Sequence, residues 1–460
     1  PRMVVLGLQH MFAMFGATVL VPLITGLDVS TTLLFAGLGT LLFHFITKMK
    51  VPAFLGSSFA FLGGYAAITG LADENMTQAQ LLPYACFGVA CAGLVYLILA
   101  AVIRAFGTTK VMKYFPPVVT GPIIVAIGLG LSGSAVANCQ ENWLVAFSAL
   151  VVVIMFNIWG VGMMRIIPII MGVVVSYIVA VLCHDVDFTP IKEAAWIGSP
   201  IHWHSTVFGG VDFGNSSLVI TAIVAIVPIA LATMMEHIGD ISAISATVGK
   251  NYIADPGLHR TLTGDGLATT IASLFGAPAN TTYGENTGVL ALTKVYDPKV
   301  IRIAACFAAV LSFSPKFAAI IHTIPTATIG GISFVLYGMI SAAGLRNMVE
   351  SHVDFSKSRN LIIAAVILVC ALGMTDGLTF HIGSVAITLS ALAVGSIAGI
   401  LLNAILPGKD YIFDESDPHD TGADLSLENV ALEKQKAYGE KKAKEKAAVK
   451  KLKAKAVETE

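Results

Sequence analysis

The sequence predicts an all-α polytopic membrane protein. Fourteen transmembrane segments would form a seven-plus-seven inverted repeat, with two short extended segments in interrupted spans 3 and 10. Three observations predict it. Composition is the first: of 460 residues, 56% are hydrophobic and 12% charged, with a mean hydropathy of +0.80, whereas soluble domains carry about 25% charged residues. The chain holds 28 basic and 29 acidic residues; the stretch from Lys409 takes 11 and 12 of them, leaving 17 of each sign for residues 1–408. So few charges cannot coat several soluble domains. The second observation is a succession of apolar runs of about 20 residues, the length a membrane helix needs. The third is where the remaining charges fall.

In chain order the runs are 3–25, 31–48, 51–69, 80–103, 114–134, 143–161, 164–183, 217–238, 261–276, 284–298, 302–322, 326–346, 358–375 and 383–407. With the N-terminus cytoplasmic, fourteen crossings return the C-terminus to the same side. Fifteen of the 17 basic residues then fall at cytoplasmic ends, among them Lys48, Arg104, Arg165, Arg260 and Arg346, and only Lys192 and Lys316 fall outside. That is the positive-inside bias, and an odd miscount would scramble it. The long outer loop, 184–216, carries Trp196 and Trp203 and suits the membrane interface. Beyond Lys409 the chain turns acidic and then lysine-rich, which reads as a solvated tail, disordered or partly helical.

An odd-numbered repeat unit must come out inverted, and transporters so built bind substrate where interrupted helices occupy matching positions. Span 3 opens with Val51-Pro-Ala-Phe-Leu-Gly-Ser-Ser-Phe-Ala-Phe61, and span 10 follows Ala277-Pro-Ala-Asn-Thr-Thr-Tyr-Gly-Glu-Asn286. Each combines Pro and Gly with hydroxyl and aromatic residues that favour extended backbone. Two short extended segments are therefore expected to pair at the midplane, each followed by a half-helix. The plainer alternative is two kinked helices.

Ionisable groups at membrane depth are costly and are functional candidates by default. Glu236 and Asp240 are four apart and share a helix face; Glu285 sits where the second extended segment meets its half-helix. Two like charges on one buried face cannot both ionise cheaply, so at least one is expected to hold a proton. The plainer readings put Asp240 or Glu236 at the end of their span and Glu285 in a capping role. Carboxylates suit N–H donors on a ligand, half-helix N-termini suit carbonyl oxygens, and Phe59 and Tyr283 offer flat faces. A small planar ring alternating N–H and C=O, such as uracil or xanthine, satisfies all three. His237 reads as a packing histidine, Gln9-His10 as a helix–helix hydrogen-bonding pair, and Asp265 as capping the start of its span.

Other classes find little support. A net charge of −1 gives no basic face for nucleic acid. No metal-ligand spacing, nucleotide loop or nucleophile elbow stands at a convincing position, so neither an enzyme, a cofactor nor a metal is expected. Six cysteines are no disulfide framework, though whether Cys139 and Cys183 pair is left open. No cleavable signal peptide is expected before the first run.

The run from Leu8-Gln-His-Met-Phe to Pro22, Gly56-Ser-Ser-Phe-Ala-Phe61, Glu236-His-Ile-Gly-Asp240 and Asn280-Thr-Thr-Tyr-Gly-Glu-Asn286 resemble the nucleobase–ascorbate transporter family. Its signature, an acid, glutamine or proline followed by Asn-x-Gly-x4-Thr-[Lys/Arg/Gly], is met by Glu285-Asn286-Thr-Gly288-Val-Leu-Ala-Leu-Thr293-Lys294. Glutamate in its first slot resembles the uracil branch more than the purine branches. The resemblance covers about residues 3–408. It implies a core domain from residues 1–113 (spans 1–4) and 217–324 (spans 8–11). A gate domain would come from 114–216 (spans 5–7) and 325–408 (spans 12–14), with 409–460 as the tail. It further implies proton-coupled uracil import across a bacterial plasma membrane, both termini cytoplasmic, and a homodimer built through the gate domains. Glu236 and Glu285 would hydrogen-bond the base, Phe59 and Gly284 would supply backbone N–H donors, and Phe59 and Tyr283 would flank the ring. Glu236, Asp240 and Glu285 would couple the proton, with His10, Ser58 and Asn286 in support. Asp240 takes a slot where members vary between histidine and aspartate. The rivals are a xanthine or other purine permease, and an anion transporter of the same architecture.

Overall fold

The computed structural model of the chain describes residues 2–74, 76–374, 377–382 and 385–408. The expected tail lies outside the described residues.

The first third follows the apolar runs. α1 (Arg2–Thr25) leads to α2 (Val29–Ile46), whose start is capped by Asp28 accepting the Thr31 amide at 2.6 Å. The third run is broken as expected, into a strand β1 (Leu55–Ser57) and a half-helix α3 (Leu62–Thr69). α4 (Gln78–Phe106) opens on a Thr77–Gln80 capping box, and one turn, α5 (Thr108–Met112), follows it. Span 5 is two helices, α6 (Pro117–Gly130) and α7 (Ser132–Cys139), followed by α8 (Trp143–Trp159) and α9 (Pro168–Leu182). The loop 184–216 carries the short helices α10 (Thr189–Glu193) and α11 (Val207–Gly210) and a 3-10 turn at Trp203–Ser205.

The eighth span departs from its expected limits. Pro228, which has no N–H to donate, separates α12 (Ser216–Ile226) from α13 (Ala230–Val248). α13 runs ten residues past the expected end at 238 and stops at Gly249, a left-handed C-cap at φ +73°. Glu236 and Asp240 are therefore interior residues of α13. Then come α14 (Leu258–Leu274), strand β2 (Asn280–Thr282) and half-helix α15 (Gly284–Thr293). Span 11 is two helices, α16 (Pro298–Leu311) and α17 (Pro315–His322), bent by 90°. α18 (Thr326–Glu350) and α19 (Ser358–Gly373) follow.

The last span is corrected. Its residues Val385–Leu389 form a strand, β4, paired antiparallel with β3 (Leu378–Ile382), which precedes the expected span, and only α20 (Ala391–Ile405) is helical. Val385, Ile387 and Thr388 are β-branched and favour that backbone; the apolarity of the stretch read as helix. Among the described residues six helices are long and apolar enough to cross a membrane, or seven if α16 and α17 are one span, and four shorter apolar helices accompany them. The count of fourteen thus stays an expectation drawn from charge placement.

Two groups of helices emerge from the packing. α1, α2, α4, α14 and α16 pack against one another around the β1–β2 pair, while α6, α7, α8 and α18 pack together, with α19 and α20 against α6. Each group contains a crossing that only glycine permits. A Cβ on Gly93 would lie 2.8 Å from the Gly266 carbonyl oxygen where α4 meets α14, and one on Gly344 would lie 2.6 Å from the Gly121 oxygen where α18 meets α6. All six cysteines are free. Cys139 and Cys183 share a small apolar cluster with Val145, Ala146, Ala180 and Ala327 without bonding.

Candidate substrate site

β1 and β2 pair antiparallel, with Leu55 opposite Thr282, Gly56 opposite Thr281 and Ser57 opposite Asn280. Side chains from the surrounding helices fasten the pair. Thr40 Oγ1 accepts the Leu55 amide at 2.9 Å, and Ser57 Oγ donates to the Thr18 carbonyl at 2.8 Å. Thr269 Oγ1 donates to the Asn280 carbonyl at 2.9 Å, and Asn280 Nδ2 to the Phe35 carbonyl at 2.6 Å. Gly39 makes room for that amide, since a Cβ there would lie 2.0 Å from Asn280 Nδ2. Buried backbone groups at membrane depth need such partners, and Thr40 and Thr269 of the helices supply them together with Ser57 and Asn280 of the strands.

Beside the pair lies a cavity of about 420 Å³. Ser57 to Phe59, Thr281 to Gly284, Thr287 and Gly288 form one wall, with Glu236, Gly239 and Asp240 of α13. The facing wall comes from α6, the start of α9 and α18, where Met339, Ile340 and Asn347 line it. Phe59 stands edge-on to Tyr337 of α18, ring centroids 5.8 Å apart. Tyr283 donates its hydroxyl to the Ser57 carbonyl at 3.2 Å, its ring held over Gly56, where a Cβ would lie 2.5 Å from it. α15 begins at Gly284 with no side-chain cap, and the Asn286 N–H turns back to the Tyr283 carbonyl at 3.2 Å. Asp240 Oδ1 lies against this helix start, 2.8 Å from where a Gly284 Cβ would be. The interaction of an anion with a helix N-terminus is favourable.

The structure brings Phe59, Ser58, Glu236, Asp240, Tyr283 and Gly284 into one cavity wall. Glu285 is the second residue of α15, but its side chain lies outside the described part. Asn286 does not line the cavity; it is buried, with Nδ2 donating to the Pro52 carbonyl at 2.8 Å, tying the second half-helix to the first interrupted segment. His10 is also fully buried away from the cavity, and neither ring nitrogen has a hydrogen-bond partner among the described residues.

One polar cluster was missed. Asp265 does not cap its helix. It is fully buried behind β2, with Oδ1 accepting the Thr282 amide at 2.8 Å and Oδ2 3.2 Å from His237 Nδ1. His237 Nδ1 also lies 3.0 Å from Thr282 Oγ1. The histidine does not line the cavity, and it packs against polar groups, the Thr282 hydroxyl and the Asp265 carboxyl. At the rim, Arg346 Nε reaches Glu350 Oε1 at 2.5 Å, and Arg165 and Asn157 line the opening from the α8–α9 side. The i, i+4 spacing of Arg346 and Glu350 was legible; that α18 turns this face to the cavity was not.

Comparison with known proteins agrees with the motifs. The profile described as the Permease family matches residues 1–380. A uracil permease of Bacillus caldolyticus is 41% identical over 90% of this chain and 95% of its own length. The uracil permease of Escherichia coli (strain K12) is 38% identical over 90% and 94%.

The chain belongs to the nucleobase–ascorbate transporter family.

It is thus a multi-pass membrane protein of a permease family. Among solved structures it is similar to the transmembrane domain of the cyanobacterium bicarbonate transporter BicA, with a TM-score of 0.57 at 15% identity, covering 86% of this chain and 96% of that one. It is also similar to the murine Solute Carrier 26 family member A9 anion transporter, with a TM-score of 0.59 at 12% identity, covering 88% and 67%. Those likenesses concern the fold alone. The family signature now has a physical reading on α15. Asn286 anchors the helix, Gly288 keeps the cavity wall open, Thr293 Oγ1 donates back to the Val289 carbonyl at 2.8 Å, and Lys294 ends the helix in the left-handed region at φ +54°.

Proposed function

We propose that this nucleobase–ascorbate family member imports uracil together with protons across a bacterial plasma membrane. The observation that carries the reading is the wall holding Glu236, Asp240 and the uncapped start of α15 beside Phe59 and Tyr283. The acids suit ring N–H groups, the helix start suits a ring carbonyl, and the aromatic residues suit a flat ring. Relatives of nearly full length that carry the name uracil permease support it. Glu236 and Glu285 hydrogen-bond the base, Phe59 and Gly284 donate backbone N–H, and Tyr283 and Phe59 border the ring. His10, Ser58 and Asn286 support them. A proton that neutralises one acid among Glu236, Asp240 and Glu285 lowers the cost of closing the site around a neutral base, so base and proton strengthen each other's binding.

In this reading residues 1–113 and 217–324 form a core domain and 114–216 and 325–408 a gate. The cavity lies between them, the two move against each other, and two copies join through the gates. Both termini face the cytoplasm. Uptake of labelled uracil into cells lacking their own uracil permease, with and without a protonophore, tests it. Uptake that collapses with the gradient is expected. Good expression without uracil uptake, while unlabelled xanthine competes for binding, would replace the pyrimidine by a purine.

A further inference from the structure

A second feature shares no residue with the lining of the cavity. Three elements end together there, as α2 and α4 finish where α14 begins. Arg104 sits in the last turn of α4, Lys48 follows α2 in the left-handed region at φ +57°, and His259 and Arg260 open α14. His259 lies within the field of Lys48, Arg104 and Arg260. Arg260 is fixed by donating Nη1 to the Ile46 carbonyl at 3.2 Å. Among the described residues no ion pair joins Lys48, Arg104 or Arg260 to an acid. The neighbouring Asp255 pairs with Lys50.

Like charges gathered without a counter-ion repel one another, so the arrangement favours an anion. What surrounds it narrows the choice. Beside the basic groups, Phe45 of α2 and Ile98 and Phe106 of α4 are 71%, 64% and 63% exposed. Such side chains on membrane helices face acyl chains, and basic pockets at this depth between helices suit phospholipid head groups. We propose that Lys48, Arg104, His259 and Arg260 bind the phosphate of an anionic inner-leaflet phospholipid, with its acyl chains lying along Phe45, Ile98 and Phe106. Because these residues belong to α2, α4 and α14, such a lipid would ride with the helices that carry the β1–β2 pair.

The full chain, purified in neutral detergent, is titrated with phosphatidylglycerol while its thermal unfolding midpoint is followed. Phosphatidylcholine and inorganic phosphate are parallel titrants. Lys48 and Arg104 are exposed, so K48Q/R104Q leaves the packing intact. With each basic residue near a membrane surface contributing about 1 kcal/mol, the double variant should need about 30-fold more phosphatidylglycerol for half the stabilisation. K192Q/K250Q, losing equal charge elsewhere, should respond as the wild type does. An unchanged response in K48Q/R104Q overturns the proposal. So does equal stabilisation by inorganic phosphate, which would make the site one for a soluble anion.

Discussion

Replacing Gly284 with alanine puts a methyl group 2.8 Å from Asp240 Oδ1 and 3.6 Å from its carboxyl carbon. Ordinary van der Waals contact begins at 3.4 Å, so the carboxylate must retreat by about 0.6 Å or the start of α15 must tilt away. The backbone itself does not object. Gly284 is not among the glycines in the left-handed region, and alanine is favoured over glycine in a helix by about 1 kcal/mol. Stability and site geometry are thus pulled in opposite directions. Overpacking of this kind costs about 1–3 kcal/mol, and here that cost falls on the wall that the proposed function gives to the base. The purified G284A protein should melt within a few degrees of the wild type, while its affinity for labelled uracil falls about 10- to 100-fold. Gly63→Ala supplies the control, since nothing lies within 4 Å of a Cβ there. If G284A binds uracil as the wild type does, the contact between Asp240 and α15 has no part in the site.

Two further outcomes follow from the carboxylates. Glu236→Ala should lower uracil uptake more than Asp240→Asn, because asparagine keeps the shape against Gly284 and alanine empties its place in the wall; the reverse order in an uptake assay would move the coupling role to Asp240. Asp265→Ala leaves the Thr282 amide without its acceptor in a fully buried place. A buried donor left unsatisfied costs about 1–3 kcal/mol, so its melting temperature should drop below that of Glu236→Ala, and equal melting would mean the cluster does not hold β2.

How far the sequence led depended on whether a residue's role was local. The broken spans were legible because Pro52, Gly56 and the Ser57-Ser58 pair announce non-helical backbone, as do Pro278, Thr281 and Thr282, and both strands formed there. Glu236 and Asp240 were legible as a pair because helix geometry sets i and i+4 on one face. Residues whose role depends on what another helix brings were not. Asp265 read as a helix cap because nothing local says that α13 offers it His237 and β2 the Thr282 amide. Residues 385–389 read as the start of a helix because apolarity is shared by membrane helices and buried strands, and only their β-branched residues argued otherwise.

The same architecture at 12–15% identity carries bicarbonate in one neighbour and is described as an anion transporter in another, so the fold by itself cannot choose a substrate. In this chain the scaffold supplies a strand pair and a half-helix, α15, that starts on the cavity wall with no side-chain cap. Such a helix start favours a negative or carbonyl oxygen whatever else is present. Selection must then come from side chains added to that background. Here α13 sets Glu236 and Asp240 on the cavity wall, with Asp240 Oδ1 placed against the start of α15. A carboxylate so placed already occupies part of the field that would draw a small anion, and its own charge repels one. What remains is room for a ligand that gives N–H to the acids and C=O to the helix. In the proposed function a neutral ring does both without adding charge, and a proton taken up with it would offset the charge left behind by the acids.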